Sequence, residues 1–190
     1  GAGYVISGAL DGLVTGADLF QVWGPGKGEL GFDVAGIRDI NGDSVREVAF
    51  GEPGHALPVA NSGAVRIFNP LTGGLWIDIG GSDGERLGFS VAGIDDFDGD
   101  GRGDLVVGRP SHDSPGLVDN GRFTVYRIWG GVFELMSWWG YQSFENMGWT
   151  VASAGDLNFD GTSEVVAATP FSSMNFPAGG RLRLHLGGTP

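Results

Sequence analysis

The sequence predicts an all-β protein made of four-stranded antiparallel blades of a β-propeller, about three and a quarter of them in 190 residues. Three observations predict it. A 23-residue segment recurs three times without a gap. Short runs of strand-like residues follow each copy at matching places. Glycine is abundant at 37 residues and helix formers are scarce, Lys27 being the only lysine, which favours short strands joined by turns.

The copies start at Gly31, Gly88 and Gly148, a period of 57 and then 60 residues. They read GFDVAGIRDINGDSVREVAFGEP, GFSVAGIDDFDGDGRGDLVVGRP and GWTVASAGDLNFDGTSEVVAATP. Each is a strand, an acidic turn and a second strand. GAVRIF (63–68), GRFTVYRI (121–128) and GGRLRLHL (179–186) supply third strands. The last alternates Leu182, Leu184 and Leu186 with Arg181, Arg183 and His185, the period-2 pattern of a half-buried strand. GLWIDIG (74–80) and GVFELMSWW (131–139) supply fourth strands. The same alignment makes GAGYVIS (1–7) and GLVTGADLFQVW (12–23) the third and fourth strands of an incomplete first unit.

The expected organisation is one partial propeller domain over 1–190. It divides into an incomplete blade 1–27, blades 28–84 and 85–144, and an incomplete last blade 145–190. A stacked solenoid has a shorter period. A single blade cannot bury both faces, so blades need neighbours. The column Phe32, Phe89, Trp149 is therefore expected to wedge between blades.

Each copy carries a nine-residue acidic loop with oxygen-bearing side chains at positions 1, 3, 5 and 9. The first loop offers Asp39, Asn41, Asp43 and Glu47, with the backbone carbonyl of Val45 at position 7. The second offers Asp96, Asp98, Asp100 and Asp104, with the carbonyl of Arg102. The third offers Asp156, Asn158, Asp160 and Glu164, with the carbonyl of Thr162. A tightly curled loop turns such alternate side chains toward one point. An all-oxygen, flexible shell of this kind suits Ca²⁺ better than the strict octahedron of Mg²⁺, and about three Ca²⁺ per chain are expected. Without a cation the carboxylates would crowd and repel one another. An EF-hand needs a glutamate at position 12 and flanking helices; position 12 is Phe50, Val107 and Ala167, and the flanks are strand-like. Turn formation alone explains one Asp/Asn/Gly-rich loop, but not three with one spacing. The middle loop, with four acids and Gly101, is expected to bind best. The first, with Ser44 in place of that glycine, is expected to bind worst.

The net charge of −12 disfavours nucleic acid and acidic membranes as partners. The loops hold 10 of the 23 acidic residues. With no cysteine, disulfides and thiolate metal sites are excluded. No apolar run reaches the length of a membrane span, and no signal peptide is visible. The start at Gly1-Ala2-Gly3 reads as a mature form or an excised piece. Gly80–Gly84 fits the nucleophile-elbow pattern and Gly26–Gly31 the dinucleotide pattern, but both run into strands where helices are needed. His55, His112 and His185 share no metal spacing and are expected at the surface. No nucleophile–base set is present, and the chain is not expected to be an enzyme.

These residues resemble FG-GAP repeats, the blades of the integrin α-subunit N-terminal β-propeller. Gly88-Phe89 stands in reversed order for the Phe-Gly pair. The Gly-Ala-Pro end survives as Gly51-Glu52-Pro53, Gly108-Arg109-Pro110 and Ala168-Thr169-Pro170. Asp96–Asp104 meets the family's calcium loop almost in full. The resemblance implies seven blades, calcium at the lower face, ligand binding at the opposite face, an adhesion or protein-interaction role, and placement outside the cell or at its surface. Three and a quarter blades cannot close such a ring. A homo-oligomer, most simply a dimer, is expected to complete it, with a protein or glycan ligand unassigned. Arg102-Gly103-Asp104 spells the tripeptide read by adhesion receptors, but Asp104 at position 9 is committed to the cation. The second functional expectation is an accessory or carbohydrate-binding domain of a larger secreted enzyme, with Trp138, Trp139 and Tyr141 as the sugar platform.

Overall fold

A computed structural model describes residues 2–6, 18–24, 26–82, 84–174, 177 and 179–188. Thirteen strands are described among them, in four sheets of two, four, four and three strands, and no helix. The first sheet pairs β1 (Ala2–Ile6) with β2 (Asp18–Trp23). The second has β3 (Val34–Ile37), β4 (Glu47–Gly51), β5 (Ala64–Phe68) and β6 (Leu75–Gly80) in sequence order. The third repeats this with β7 (Ser90–Ile94), β8 (Asp104–Arg109), β9 (Arg122–Arg127) and β10 (Phe133–Trp139). The fourth holds β11 (Thr150–Gly155), β12 (Glu164–Thr169) and β13 (Arg181–His185). The pairings between these strands are all antiparallel and between sequence neighbours, as meandering blades require, while isolated parallel bridges Gly63–Leu87 and Gly121–Met147 join one blade to the next. Residues 12–17 of the expected fourth strand lie outside the described residues.

Successive blades stack face to face, because the inner strands of the two full blades carry apolar residues on both sides. One core joins Ala49, Val65, Ile67 and Ile79 of the second sheet to Val91, Leu105, Val107 and Tyr126 of the third. A second joins Val106, Phe123 and Val125 to Val151, Val165 and Ala167. Val22 of β2 packs on a smaller cluster of Leu30, Phe50 and Phe68. Burying a Val, Leu, Ile or Phe side chain fully contributes roughly 1.5–3 kcal/mol, so these junctions supply most of the hydrophobic stabilisation.

The close approach demands glycine at one column. A Cβ on Gly51 would lie 2.0 Å from the carbonyl oxygen of Gly88, and one on Gly108 would lie 2.0 Å from that of Gly148. Ala168 occupies this column in the last sheet, on the face that packs on no further sheet among the described residues.

Phe32, Phe89 and Trp149 sit differently from the wedges expected. They form a ladder with Phe171, with ring centroids 4.8, 4.8 and 5.3 Å apart. Phe32 and Trp149 remain exposed. They lie just before the first strand of each blade, where tilted rings of neighbouring blades meet at the rim and water reaches one side. Gly80 and Gly81 lead into a turn and then β7, and Gly26–Gly31 into β3, so neither motif match precedes a helix.

Candidate cation loops

Each acidic loop links the first strand of a blade to the second. Its backbone is held by its own side chains. The position-1 carboxylate accepts amides from across the turn: Gly42 at 2.6 Å and Ser44 at 2.8 Å on Asp39, Gly99 at 2.7 Å and Gly101 at 2.8 Å on Asp96, Gly161 at 3.0 Å on Asp156. Positions 3 and 5 each accept the amide two residues on, as Asp98 does from Asp100 and Asp100 from Arg102. Alternate side chains thus turn inward. Two positions adopt left-handed backbone: Gly42 and Ser44, Gly99 and Gly101, Phe159 and Gly161. Only the middle loop has glycine at both. Position 4 as well as position 6 therefore distinguishes the loops, and Phe159 strains the third loop as Ser44 strains the first.

Position 9 decides the chemistry. Glu47, Asp104 and Glu164 are fully buried at the start of β4, β8 and β12. Each gives one oxygen to the amide of position 2: Ile40 at 3.0 Å, Phe97 at 2.7 Å, Leu157 at 2.5 Å. The other oxygen differs. Asp104 Oδ1 and Glu164 Oε1 are buried without a hydrogen-bond partner. Glu47 Oε1 takes a 2.6 Å hydrogen bond from Asn41 Nδ2, which also donates to Asp43 at 3.0 Å. An orphaned buried carboxylate oxygen costs roughly 1–3 kcal/mol or more, and a cation removes that cost.

Carboxylate oxygens of Asp96, Asp98 and Asp104 lie within 4.8 Å of one another, as do those of Asp39, Asp43 and Glu47. Asp100 stands outside the first of these groups, and the third loop shows no such group. There Asn158 Nδ2 donates to Asp160 at 2.8 Å, and Thr162 Oγ1 donates to the same carboxylate at 2.6 Å. In loops 1 and 3 the asparagine amide thus stands in for part of a cation's role, and it must turn its oxygen inward for one to bind. Aspartate at position 3 of loop 2 has no such donor. Burial, then the charges of Asp98, Asp100 and Asp96, push Asp104 up to about 7 despite the hydrogen bond from Phe97. Burial, with Asp43 and Asp39, also raises Glu47. Desolvation raises Asp39, but hydrogen bonds from the loop amides outweigh it and leave its pKa low. Hydrogen bonds from Thr162 and Asn158 lower Asp160.

The donor set is all oxygen, and the unpartnered atoms point to a missing positive charge, so the residues fit a hard divalent cation. Asp104 is buried and Gly103 packs against Arg38, so Arg102-Gly103-Asp104 is not displayed as a recognition tripeptide.

Three buried carboxylates escaped sequence reasoning. Glu52, Glu85 and Glu145 sit between blades at the end opposite the acidic loops. Glu85 accepts Arg109 at 2.7 Å and pairs with His112 Nδ1 at 2.9 Å. Glu145 accepts Ser172 at 2.6 Å and Arg181 at 2.9 Å. Glu52 faces Arg66 at 3.1 Å and His55 at 3.5 Å. Glu85 and Glu145 share the column three residues before the blade's leading glycine. Gly28 holds that column in the first copy, and a Cβ there would lie 1.9 Å from Glu52 Oε1. The acid has moved to another position while its carboxylate fills the same socket, so column identity alone hides it. The histidines are accordingly not simple surface residues. His55 and His112 face these acids, and His185 packs on Trp138 and Phe123 at 4.2 and 5.1 Å. Burial there, with Arg183, lowers His185 to about 4.

The aromatics expected as a sugar platform separate. Trp138 faces the last blade, Trp139 lies under Arg122, and Tyr141 lies under Arg181 and Arg183.

An FG-GAP-like repeat profile matches residues 96–167, from the middle acidic loop into β12. Integrin α-V of Gallus gallus is 30% identical over 149 residues, covering 75% of this chain and 14% of that protein. Integrin α-IIb of Mus musculus is 31% identical over 170 residues, covering 84% of this chain and 16% of that protein. Integrin α pat-2 of Caenorhabditis elegans is 26% identical over 164 residues, covering 77% and 13%.

The chain belongs to the FG-GAP repeat, integrin-α-like family. Its sheets are FG-GAP propeller blades, in an array that among the described residues does not close on itself. The chain spans about a seventh of the length of the curated relatives it matches.

Proposed function

We propose that this FG-GAP chain is a calcium-stabilised β-propeller module for protein interaction or adhesion outside the cell, without enzymatic activity. The observation that carries the reading is the pair of buried, unpartnered oxygens Asp104 Oδ1 and Glu164 Oε1 at the base of the acidic loops. Asp96, Asp98, Asp100, Asp104 and the carbonyl of Arg102 would hold one Ca²⁺. Asp39, Asn41, Asp43, Glu47 and the carbonyl of Val45 would hold a second. Asp156, Asn158, Asp160, Glu164 and the carbonyl of Thr162 would hold a third. Calcium supplies positive charge that offsets carboxylate repulsion and desolvation. The chain's part is to curl each loop and bury its position-9 acid at the strand start, which ties the loop to its blade. The middle loop also reaches the next blade: Asp96 O accepts Ser163 N at 2.6 Å and Phe97 O accepts Gly188 N at 2.6 Å. Extracellular sites of this kind bind at about 10⁻⁴–10⁻³ M, which suits a calcium-rich exterior.

Leu157, Leu182 and Leu184 are exposed where their counterparts Phe97, Phe123 and Val125 are buried against a following blade. A further sheet belongs on that face, and a second copy of the chain is our proposal for its source. A single monomeric mass in calcium and in chelator would reject the second copy.

Asp100→Ala tests the calcium reading. It is expected to lower the melting temperature in calcium and leave it unchanged in chelator. Equal losses in both conditions would reject a metal role for that loop.

A further inference from the structure

In the two full blades the hairpin after the third strand folds back against that blade's acidic loop, and one column touches it. In the first full blade this residue is Asn69, whose Nδ2 donates to Asp43 at 2.7 Å. In the next it is Arg127, whose Nη1 lies 3.8 Å from Asp98 Oδ2. In the last it is Leu186, which brings no polar group. The strand registers establish the column: Ala49 pairs with Ile67, Val106 with Val125 and Val166 with Leu184, and the column lies two residues beyond.

Only the four-acid loop has a cation in this place. The β9–β10 hairpin sets aromatic rings beside it and beside its neighbour Arg102. The Arg127 guanidinium lies 4.8 Å from the Phe133 ring centroid, and that of Arg102 lies 3.8 Å from the Trp129 centroid. Both rings belong to the same β9–β10 turn. Arg127 Nε is buried without a hydrogen-bond partner, so its position is set by charge and by the ring. A cavity of about 660 Å³, lined by Asp98, Arg127, Leu135, Met136, Trp138 and Leu186, opens beside the pair. It gives the side chain room to leave Asp98.

We propose that Arg127 is the built-in counter-cation of the middle loop. It neutralises Asp98 in the cation-free loop and gives it up when a divalent cation binds. It is a positioning residue with two opposite effects. It supports the folded cation-free loop, where Asp96, Asp98 and Asp104 crowd one another. It weakens cation binding, because a positive charge already paired with a ligand must be displaced by the incoming ion. The inference rests on the calcium reading of that loop.

The test compares wild type with Arg127→Leu, the residue type of the last blade, and Arg127→Lys, which keeps the charge. Calcium affinity is measured by titration calorimetry, and stability by melting in chelator. Arg127→Leu is expected to tighten the middle loop's Kd roughly three- to tenfold at low salt, the gain shrinking as salt rises. It is also expected to lower the melting temperature in chelator. Arg127→Lys should stay near wild type in both. An unchanged or weaker Kd in folded Arg127→Leu, with wild type binding calcium, overturns the counter-cation role alone. If Asp100→Ala leaves calcium binding intact, the calcium reading of the loop fails with it.

Discussion

Asp104 offers the sharpest test of the cation loops. Its carboxyl is fully buried and one of its oxygens has no hydrogen-bond partner. Its pKa is pushed up to about 7 from 3.8, first by burial and then by Asp98, Asp100 and Asp96. Below pH 3.8 the group is protonated in the folded and unfolded chain alike. Between about 4 and 7 the folded protein keeps a proton that the unfolded chain has released, so cation-free stability falls as pH rises through this window. Three pKa units correspond to about 4 kcal/mol, or roughly 8–16 °C in melting temperature for a domain of this size. That is an upper figure, since structural relaxation shares the strain. With calcium bound, the carboxylate is ionised and paired, and the loss disappears. Melting temperatures in saturating calcium and in calcium-depleted buffer should therefore diverge between pH 5 and pH 8. Asp104→Asn should raise the calcium-free value at pH 8 and lower the calcium-bound one. A calcium effect equal at both pH values, or an Asn variant that loses as much without calcium as with it, would refute the reasoning.

Three further outcomes follow from single contacts. Phe159 is exposed in a left-handed conformation at loop position 4, so Phe159→Gly should stabilise by about 1 kcal/mol after glycine's own entropy is counted, read as a rise in melting temperature. Glu85→Gln leaves Arg109 buried without its countercharge and should cost about 3–5 kcal/mol in urea unfolding. Burial raises Glu85, but His112 and Arg109 outweigh it and depress its pKa, so its contribution is present above pH 4.5 and lost as pH falls through the lower folded value; the variant should flatten that acid limb. Gly108→Ala puts a Cβ 2.0 Å from the Gly148 carbonyl and should destabilise by about 1–3 kcal/mol, whereas Ala168→Gly, on the open face, should change stability by less than about 1 kcal/mol.

Much of the fold was legible in the chain. The gapless repeat at Gly31, Gly88 and Gly148 carried strand order, strand number and sheet composition, because each local unit must meet the same geometric demand. The 1-3-5-9 pattern also located the loops that curl as expected. What was not legible depends on neighbours distant in sequence. Phe32 and Trp149 looked like buried wedges, yet they stack at a rim, since exposure is set by where the blades meet. Glu52 could not be matched to Glu85 and Glu145, because the repeat conserves the socket and not the position. Asn69 and Arg127 gave no pattern, because their role comes from a hairpin folding back on a loop more than twenty residues away.

The sequence by itself determined the all-β repeat architecture, the family and the oxygen-donor loops, since these follow from residue types at fixed short spacing. Only the tertiary structure decided which carboxylate oxygens are left without partners, which loop has an arginine beside it, and which blade face stays open among the described residues. Those depend on burial and on charges brought together across the chain, and no local spacing encodes the distance between them.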